Sequence, residues 1–319
     1  MSHSYDPHFA EHVRLGLSQS PRALSSMYIY DEKGSKLFQS IMELPEYYLT
    51  RAEYEILELQ SPDIAYLLQA QPEDGLDVVE FGAGDGTKTR LLLTHLLQQQ
   101  WDFRYVPIDI SRDALEGLTA DLARQFPEMP VEPVVGDYFK SLEQLSQSPR
   151  RKLVLFLGSN VGNFSHAQAN AFFERMHEGL NPGDQVLVGF DLKKNPAQIL
   201  AAYNDSEGVT AHFNQNLLAR INRELGGNFD LSQFKYTPVY NPESGEMHAY
   251  QLSLADQDVY VEAVDESFHF ARWDTIHTEV SRKYSLDMIE TFAQNNGYKV
   301  SAHFKDANDY FIDSLWTRV

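Results

Sequence analysis

The chain has 319 residues, 43% hydrophobic and 12% aromatic, enough to bury the core of one large domain or two smaller ones. Its 46 acidic and 26 basic residues give a net charge of −20, which repels polyphosphates and anionic bilayers, so neither nucleic acid nor a membrane is expected as a partner. The absence of cysteine excludes disulfides, thiolate nucleophiles and cysteine metal ligands.

The opening "MSHSYDPHFAEHV" has no basic region followed by an apolar core, and nowhere do about 18 apolar residues run together, so a cytoplasmic protein is expected. Residues 8–12, "HFAEH", match the H-x-x-E-H pattern of zinc proteases. With no evident third ligand and no surrounding scaffold, the segment reads as an exposed amphipathic helix, and no metal is expected. Helical patterns follow around "SKLFQSIMEL" and "RAEYEILELQ" within residues 1–60.

The middle of the chain alternates short apolar runs with helical patterns, as a doubly wound, mostly parallel α/β sheet requires. The expected strands are "LDVVEF", "FRYVPID", "VEPVVGD", "KLVLFLG" and "QVLVGFD", with helices near residues 87–99, 112–125 and 165–179. Ser165 opens the last of these helices and "NPGD" follows its end. Residues 196–226 then read as helices, and residues 236–282 as extended segments around "YNPESGE". A helix, an Asn-Gly stop and a strand follow in "SLDMIETFAQNNGYKVSAHFKD", and "DYFIDSLWTRV" adds a final strand. The sheet is thus expected over residues 61–191 plus 283–319, with a second, discontinuous domain built from residues 1–60 plus 192–282.

The first strand runs into the spacing Glu80-x-Gly82-x-Gly84-x-Gly86. The dinucleotide fingerprint is G-x-G-x-x-G, and the phosphate-cradling loop sets Lys after two glycines in a fixed register, so Lys88 does not complete it. Asp109 ends the second strand, where a carboxylate can accept hydrogen bonds from ribose hydroxyls. After the third strand, Asp137 can reach an adenine amine and Tyr138 can pack on the base. Acidic walls suit a cationic nucleoside without phosphate, and S-adenosylmethionine (SAM), a sulfonium, is such a ligand. Taken singly, the glycine turn is an ordinary strand-to-helix connection and Asp109 a helix cap. Their order on successive strand ends is what favours the nucleoside.

Long stretches then resemble the histidine Nα-methyltransferases of ergothioneine biosynthesis: "YIYDEKGSKLFQSIMELPEYYLTRAEYEIL", "EFGAGDGTKTRLLL", "YVPIDIS", "FLGSNVGNF", "AAYNDSEGVTAHFNQNLLARINREL" and "TEVSRKYS". The resemblance implies a Rossmann-type methyltransferase core with a substrate-binding domain, and SAM as co-substrate. It implies cofactor contacts from Gly82, Gly84, Gly86 and Lys88, with Asp109 on the ribose and Asp137 and Tyr138 near the adenine. It also implies that Tyr47, Asn163 and Tyr203 hold the α-carboxylate and amine of the substrate, with Gly158 beside the amine. Glu279 and Ser281 would face the imidazole, helped by Tyr30, Phe38 and Met247.

The implied activity is three successive methyl transfers to the α-amino group of histidine, giving trimethylhistidine (hercynine), by a monomer acting on a small molecule. In "ESGEMHAYQLSL" the Glu-Met pair is kept but the residues after it depart from the family pattern, which leaves the register around Met247 open. Related fungal enzymes methylate a prenylated tryptophan on this fold, so another amino acid is the alternative acceptor. A SAM-binding protein without turnover is a further alternative, and the glycine spacing disfavours a nicotinamide-dependent oxidoreductase.

Overall fold

The computed structural model describes residues 5–68, 70, 75–109, 112–136 and 138–319. The chain folds as two compact units, one of Leu49–Lys193 with Lys283–Val319 and the other of Met1–Tyr48 with Lys194–Arg282. Both are discontinuous in sequence.

The first unit is a Rossmann-type α/β fold built on a seven-stranded sheet. Its strands are β1 (Leu76–Phe81), β2 (Phe103–Asp109), β3 (Val134–Val135), β4 (Arg151–Phe156), β5 (Gln185–Asp191), β6 (Tyr298–Lys305) and β7 (Phe311–Arg318). Their order is β6-β7-β5-β4-β1-β2-β3. β1 to β5 run parallel, and β7 pairs antiparallel with both β5 and β6. Every residue of β1 and β5 is buried, as expected of parallel strands covered on both faces. The order turns back at β1, with β2 on one side and β4 on the other, and a ligand crevice of an open α/β sheet lies at the carboxyl ends of such strands.

Three details differ from the sequence reading. β3 shrinks from the expected 131–137 to Val134–Val135, with Val131 making one isolated bridge to Tyr105. Pro133 has no N–H to give a ladder, so the edge strand is interrupted there. Helices span Thr89–Gln98, Arg112–Gln125 and His166–Gly179, slightly inside two of the expected ranges. The helix Leu49–Tyr66, which a boundary at 60/61 would divide, belongs wholly to the sheet unit. It buries Ala52, Ile56, Leu57 and Ile64 and packs against the helix Thr89–Gln98 and against β7.

Local chemistry fixes the helix ends. The Ser165 side chain accepts from the Gln168 N–H while the Gln168 side chain accepts from the Ser165 N–H, a reciprocal capping box that satisfies two otherwise unpaired donors. The helix Leu286–Asn295 stops at Asn296, and Gly297 supplies the left-handed turn (φ +80°) into β6. Phe173, Phe190, Ile312 and Trp316 join helix to sheet in one apolar core.

The second unit contains a four-stranded sheet in the order Arg22–Ala23, Thr275–Arg282, Glu246–Ser253, Phe234–Asn241, and a separate antiparallel pair, Gln257–Val261 with Glu266–Phe270. The helix Val209–Leu225 packs on the four-stranded sheet and on the helix Glu32–Glu43. The helix Pro7–Ser18 is capped by Asp6 and carries the "HFAEH" run. Its His12 ring accepts the Ser25 N–H at 2.9 Å and packs on Tyr28, and burial lowers its pKa. Among the described residues no group of three or more His, Cys, Asp or Glu is arranged to hold a metal, and no helix is long and apolar enough to cross a membrane.

Candidate functional site

In the sheet unit, the turn after β1 places Gly82, Gly84 and Gly86 at positive φ (69°, 55° and 66°). The glycines serve different ends. A Cβ on Gly86 would fall 2.6 Å from Leu118 Cδ1, so that glycine permits packing of the loop on its neighbouring helix. A Cβ on Gly84 would meet nothing within 4 Å, so there the bare backbone stands open to a ligand. Gly82 lies under the Tyr138 hydroxyl, 3.2 Å from where a Cβ would stand.

The Tyr138 ring stacks on Phe81 at 4.6 Å and 6°, which fixes an aromatic plate over the glycine turn. Burial, with the charge of Asp109 adding to it, pushes the Tyr138 phenol up to about 12, so Asp109 and Tyr138 share one neighbourhood. Asp109 is the last residue of β2, as expected. Asp137 lies outside the described residues.

Beneath the turn sits a layer of buried charge. Glu80 Oε1 accepts the Thr89 hydroxyl at 2.5 Å and Oε2 accepts the Tyr105 hydroxyl. Burial raises the Glu80 pKa to about 7, against the opposing effect of these two hydrogen bonds and of Lys88. Lys88 forms an ion pair with Glu53, a fully buried residue of the helix Leu49–Tyr66. Burial draws the Lys88 pKa down, but the adjacent Glu53 carboxylate outweighs it and the net shift is upward. The other Glu53 oxygen accepts the Gly158 N–H at 2.7 Å. Lys88 and Gly158, far apart in sequence, therefore meet on one carboxylate. Gly158 follows β4 at φ +76°, and half-buried Asn163 ends the short helical turn Asn160–Asn163 beyond it.

The second unit gathers the remaining expected residues. Tyr30 meets Phe38 edge-on with centroids 5.6 Å apart, and Phe38 meets Tyr47 edge-on at 6.2 Å. Phe213, from the helix Val209–Leu225, packs against both Tyr30 and Phe38. The Tyr203 and Ser281 hydroxyls are hydrogen-bonded at 2.8 Å. On the sheet, Glu279 stands opposite Ala249 and Ser281 opposite Met247.

That register depends on an irregularity between His277 and Glu279. His277 pairs with Tyr250 and Glu279 with the next residue, Ala249, so Thr278 is the extra residue of a bulge. Its hydroxyl lies 3.1 Å from Asn214 Oδ1 and 3.2 Å from the Ala249 carbonyl. The extra residue reverses the in-out alternation and sets Glu279 and Ser281 on the face of Met247 and Ala249.

Charge ties this group together. Burial, then Glu279, Tyr47 and Tyr203, raise the Tyr30 pKa well above the phenol range; the residue is 39% exposed as a whole but its hydroxyl is enclosed. Burial and Glu279 do the same to Tyr236, whose hydroxyl donates to the Tyr203 carbonyl at 2.9 Å. Both phenols remain protonated at neutral pH; the Tyr236 hydrogen is committed to the Tyr203 carbonyl, and Tyr30 is a hydrogen donor toward a carboxylate.

Sequence reading passed over Glu53, Asp313, Phe213 and Tyr236. Glu53 carried a signal, an acid directly after Ala52 and three and four places before Ile56 and Leu57 on the buried face of a helix. Asp313 carried another, an acid inside the apolar run of β7.

The arrangement fits a sulfonium nucleoside: an open glycine backbone, an aromatic plate and a strand-end carboxylate, with the lysine of the turn already neutralised by Glu53. Comparison with known proteins agrees. Residues 9–318 match the family model described as histidine-specific, SAM-dependent methyltransferase. The chain is 37% identical to the histidine N-alpha-methyltransferase of Mycolicibacterium smegmatis, over 96% of this chain and 94% of that protein. It is 36% identical to the protein of the same name from Mycobacterium tuberculosis, over 85% and 83%. Ergothioneine biosynthesis protein 1 of Neurospora crassa is 29% identical over 92% of this chain, which spans 33% of that longer protein. With its glycine turn and methyltransferase sheet in place, the chain belongs to the histidine-specific, SAM-dependent methyltransferases.

Proposed function

We propose that the protein moves three methyl groups in succession from SAM to the α-amino nitrogen of L-histidine, giving trimethylhistidine (hercynine) for ergothioneine biosynthesis. The observation that carries this reading is the match of nearly the whole chain, residues 9–318, to a histidine-specific family. The donor supplies a methyl carbon made electrophilic by its sulfonium. The chain's task is alignment, since an in-line displacement needs a neutral amine, a near-attack geometry and no covalent nucleophile.

The Gly82, Gly84 and Gly86 backbone and Lys88 border the donor, with Asp109 on its ribose and Asp137 and Tyr138 at its adenine. Tyr47, Tyr203 and Asn163 hold the substrate carboxylate and amine. The Asn163 amide oxygen and Gly158 carbonyl accept from the amine and orient its lone pair. Glu279 accepts from or pairs with the imidazole, and Ser281, already hydrogen-bonded to Tyr203, serves its other edge. Tyr30, Phe38 and Met247 enclose the ring. Before each transfer one proton leaves the amine, to water or to a tyrosine hydroxyl. The protein acts as a cytoplasmic monomer and needs no metal, nucleic acid or membrane; its net charge of −20 supports the exclusion of the last two.

The test is release of S-adenosylhomocysteine (SAH) from the full chain with SAM and each common amino acid in turn. Histidine is expected to react well above the rest, because imidazole partners left empty penalise apolar side chains. Turnover of another aromatic amino acid with none of histidine would overturn the acceptor and leave methyl transfer standing; binding of SAM with no turnover of any would indicate a non-catalytic protein.

A further inference from the structure

Three ionisable side chains from three elements meet beside β5: Glu53, Lys88 and Asp313. Asp313 on β7 pairs with Gly189 on β5, and a side chain at Gly189 would collide with Glu53 Oε1. The bare backbone at Gly189 thus lets Glu53 reach across the strand to lie against Asp313. Glu53 and Asp313 are both fully buried. Glu53 uses one oxygen for the Gly158 N–H and the other for Lys88. Neither Asp313 oxygen finds a hydrogen-bond donor among the described residues, and its neighbour Glu53 is also an acid. Two carboxyl groups in contact repel when both are ionised and bond when one keeps its proton. Lys88 supplies one positive charge, which balances one carboxylate. The remaining acid facing Lys88 is Glu80, held by Thr89 and Tyr105.

We propose that Glu53 is a positioning residue for methyl transfer: its carboxylate locks Lys88 below the glycine turn and Gly158 after β4, while Asp313 keeps its proton and donates it in a hydrogen bond to Glu53. The proposal rests on the reading that Lys88 and Gly158 border the reacting ligands. Burial and the Glu53 charge raise the Asp313 pKa well above the carboxylate range, in keeping with the proton's place. The pair works without proton exchange in the reaction; its role is to fix two loops from one point.

The experiment compares SAH affinity by calorimetry in the full chain and in Asp313→Asn, Asp313→Leu and Glu53→Gln. An asparagine amide still donates to Glu53, so Asp313→Asn is expected to keep the dissociation constant within about threefold, whereas Asp313→Leu and Glu53→Gln weaken it by about tenfold or more. Equal losses in Asp313→Asn and Asp313→Leu would overturn the proposal. A second measurement needs no variant: carboxyl-carbon NMR of the parent labelled at aspartate is expected to show one signal in the protonated range through neutral pH, and its absence would also overturn it. Loss of SAH binding by the parent would instead overturn the donor-site reading, and the positioning role with it.

Discussion

Glu279 stands just past the extra residue of its strand, so its direction is set by Thr278 rather than by simple alternation. Sequence alone therefore could not say whether it faces water, and only the family resemblance singled it out. If Glu279 serves the imidazole, Glu279→Ala raises the KM for histidine about tenfold or more and leaves the SAH dissociation constant within about twofold in calorimetry; equal loss of both would contradict the assignment. Glu80 offers a pH test. Its pKa is about 7 in the folded chain against 4.5 ordinarily, so the folded state binds the proton more tightly than the unfolded state. The associated stability is complete below about 4.5, falls as pH rises and is lost above about 7. Glu80→Gln removes that dependence, so its stability relative to the parent should climb by up to about 3 kcal/mol across this window and then level off in denaturant titrations. A constant difference would refute the buried proton. Glu53 and Asp313 were legible only as misplaced acids, because their meeting depends on the pairing of β7 with β5 and on Gly189.

The parallel strands were the most legible elements, since short, largely apolar runs such as "LDVVEF" and "QVLVGFD" match strands buried along their whole length. Helix starts were legible where side-chain caps exist. Ser165→Ala removes one hydrogen bond of a capping box and should cost about 1 kcal/mol, visible as a fall of a few degrees in the thermal midpoint without change in KM. A fall in activity alone would point to a role beyond capping. β3 and the helix Leu49–Tyr66 were read less well. Edge pairing is sensitive to a single proline, and an amphipathic helix shows that it has a buried face but not which unit covers it.

For the molecule as a whole, the alternation of strands and helices revealed the doubly wound sheet, and the break in rhythm after Asp191 revealed that a second unit is inserted into it. Its aromatic cluster draws on Tyr30, Phe38 and Tyr47 near the start of the chain and Phe213 from the insertion, a grouping no local pattern encodes. The net charge of −20 acts at this scale too. It should favour encounter with the cationic donor over its uncharged-sulfur product, so raising salt is expected to slow SAM association several-fold in stopped flow and to affect SAH much less. Equal slowing would remove charge as a factor. The most direct measurement of all is the structure of the product made from histidine and methyl-labelled SAM. Three labelled methyl groups on the α-nitrogen and an unmodified imidazole are expected; label on a ring nitrogen, or no labelled histidine at all, would contradict Nα-methylation.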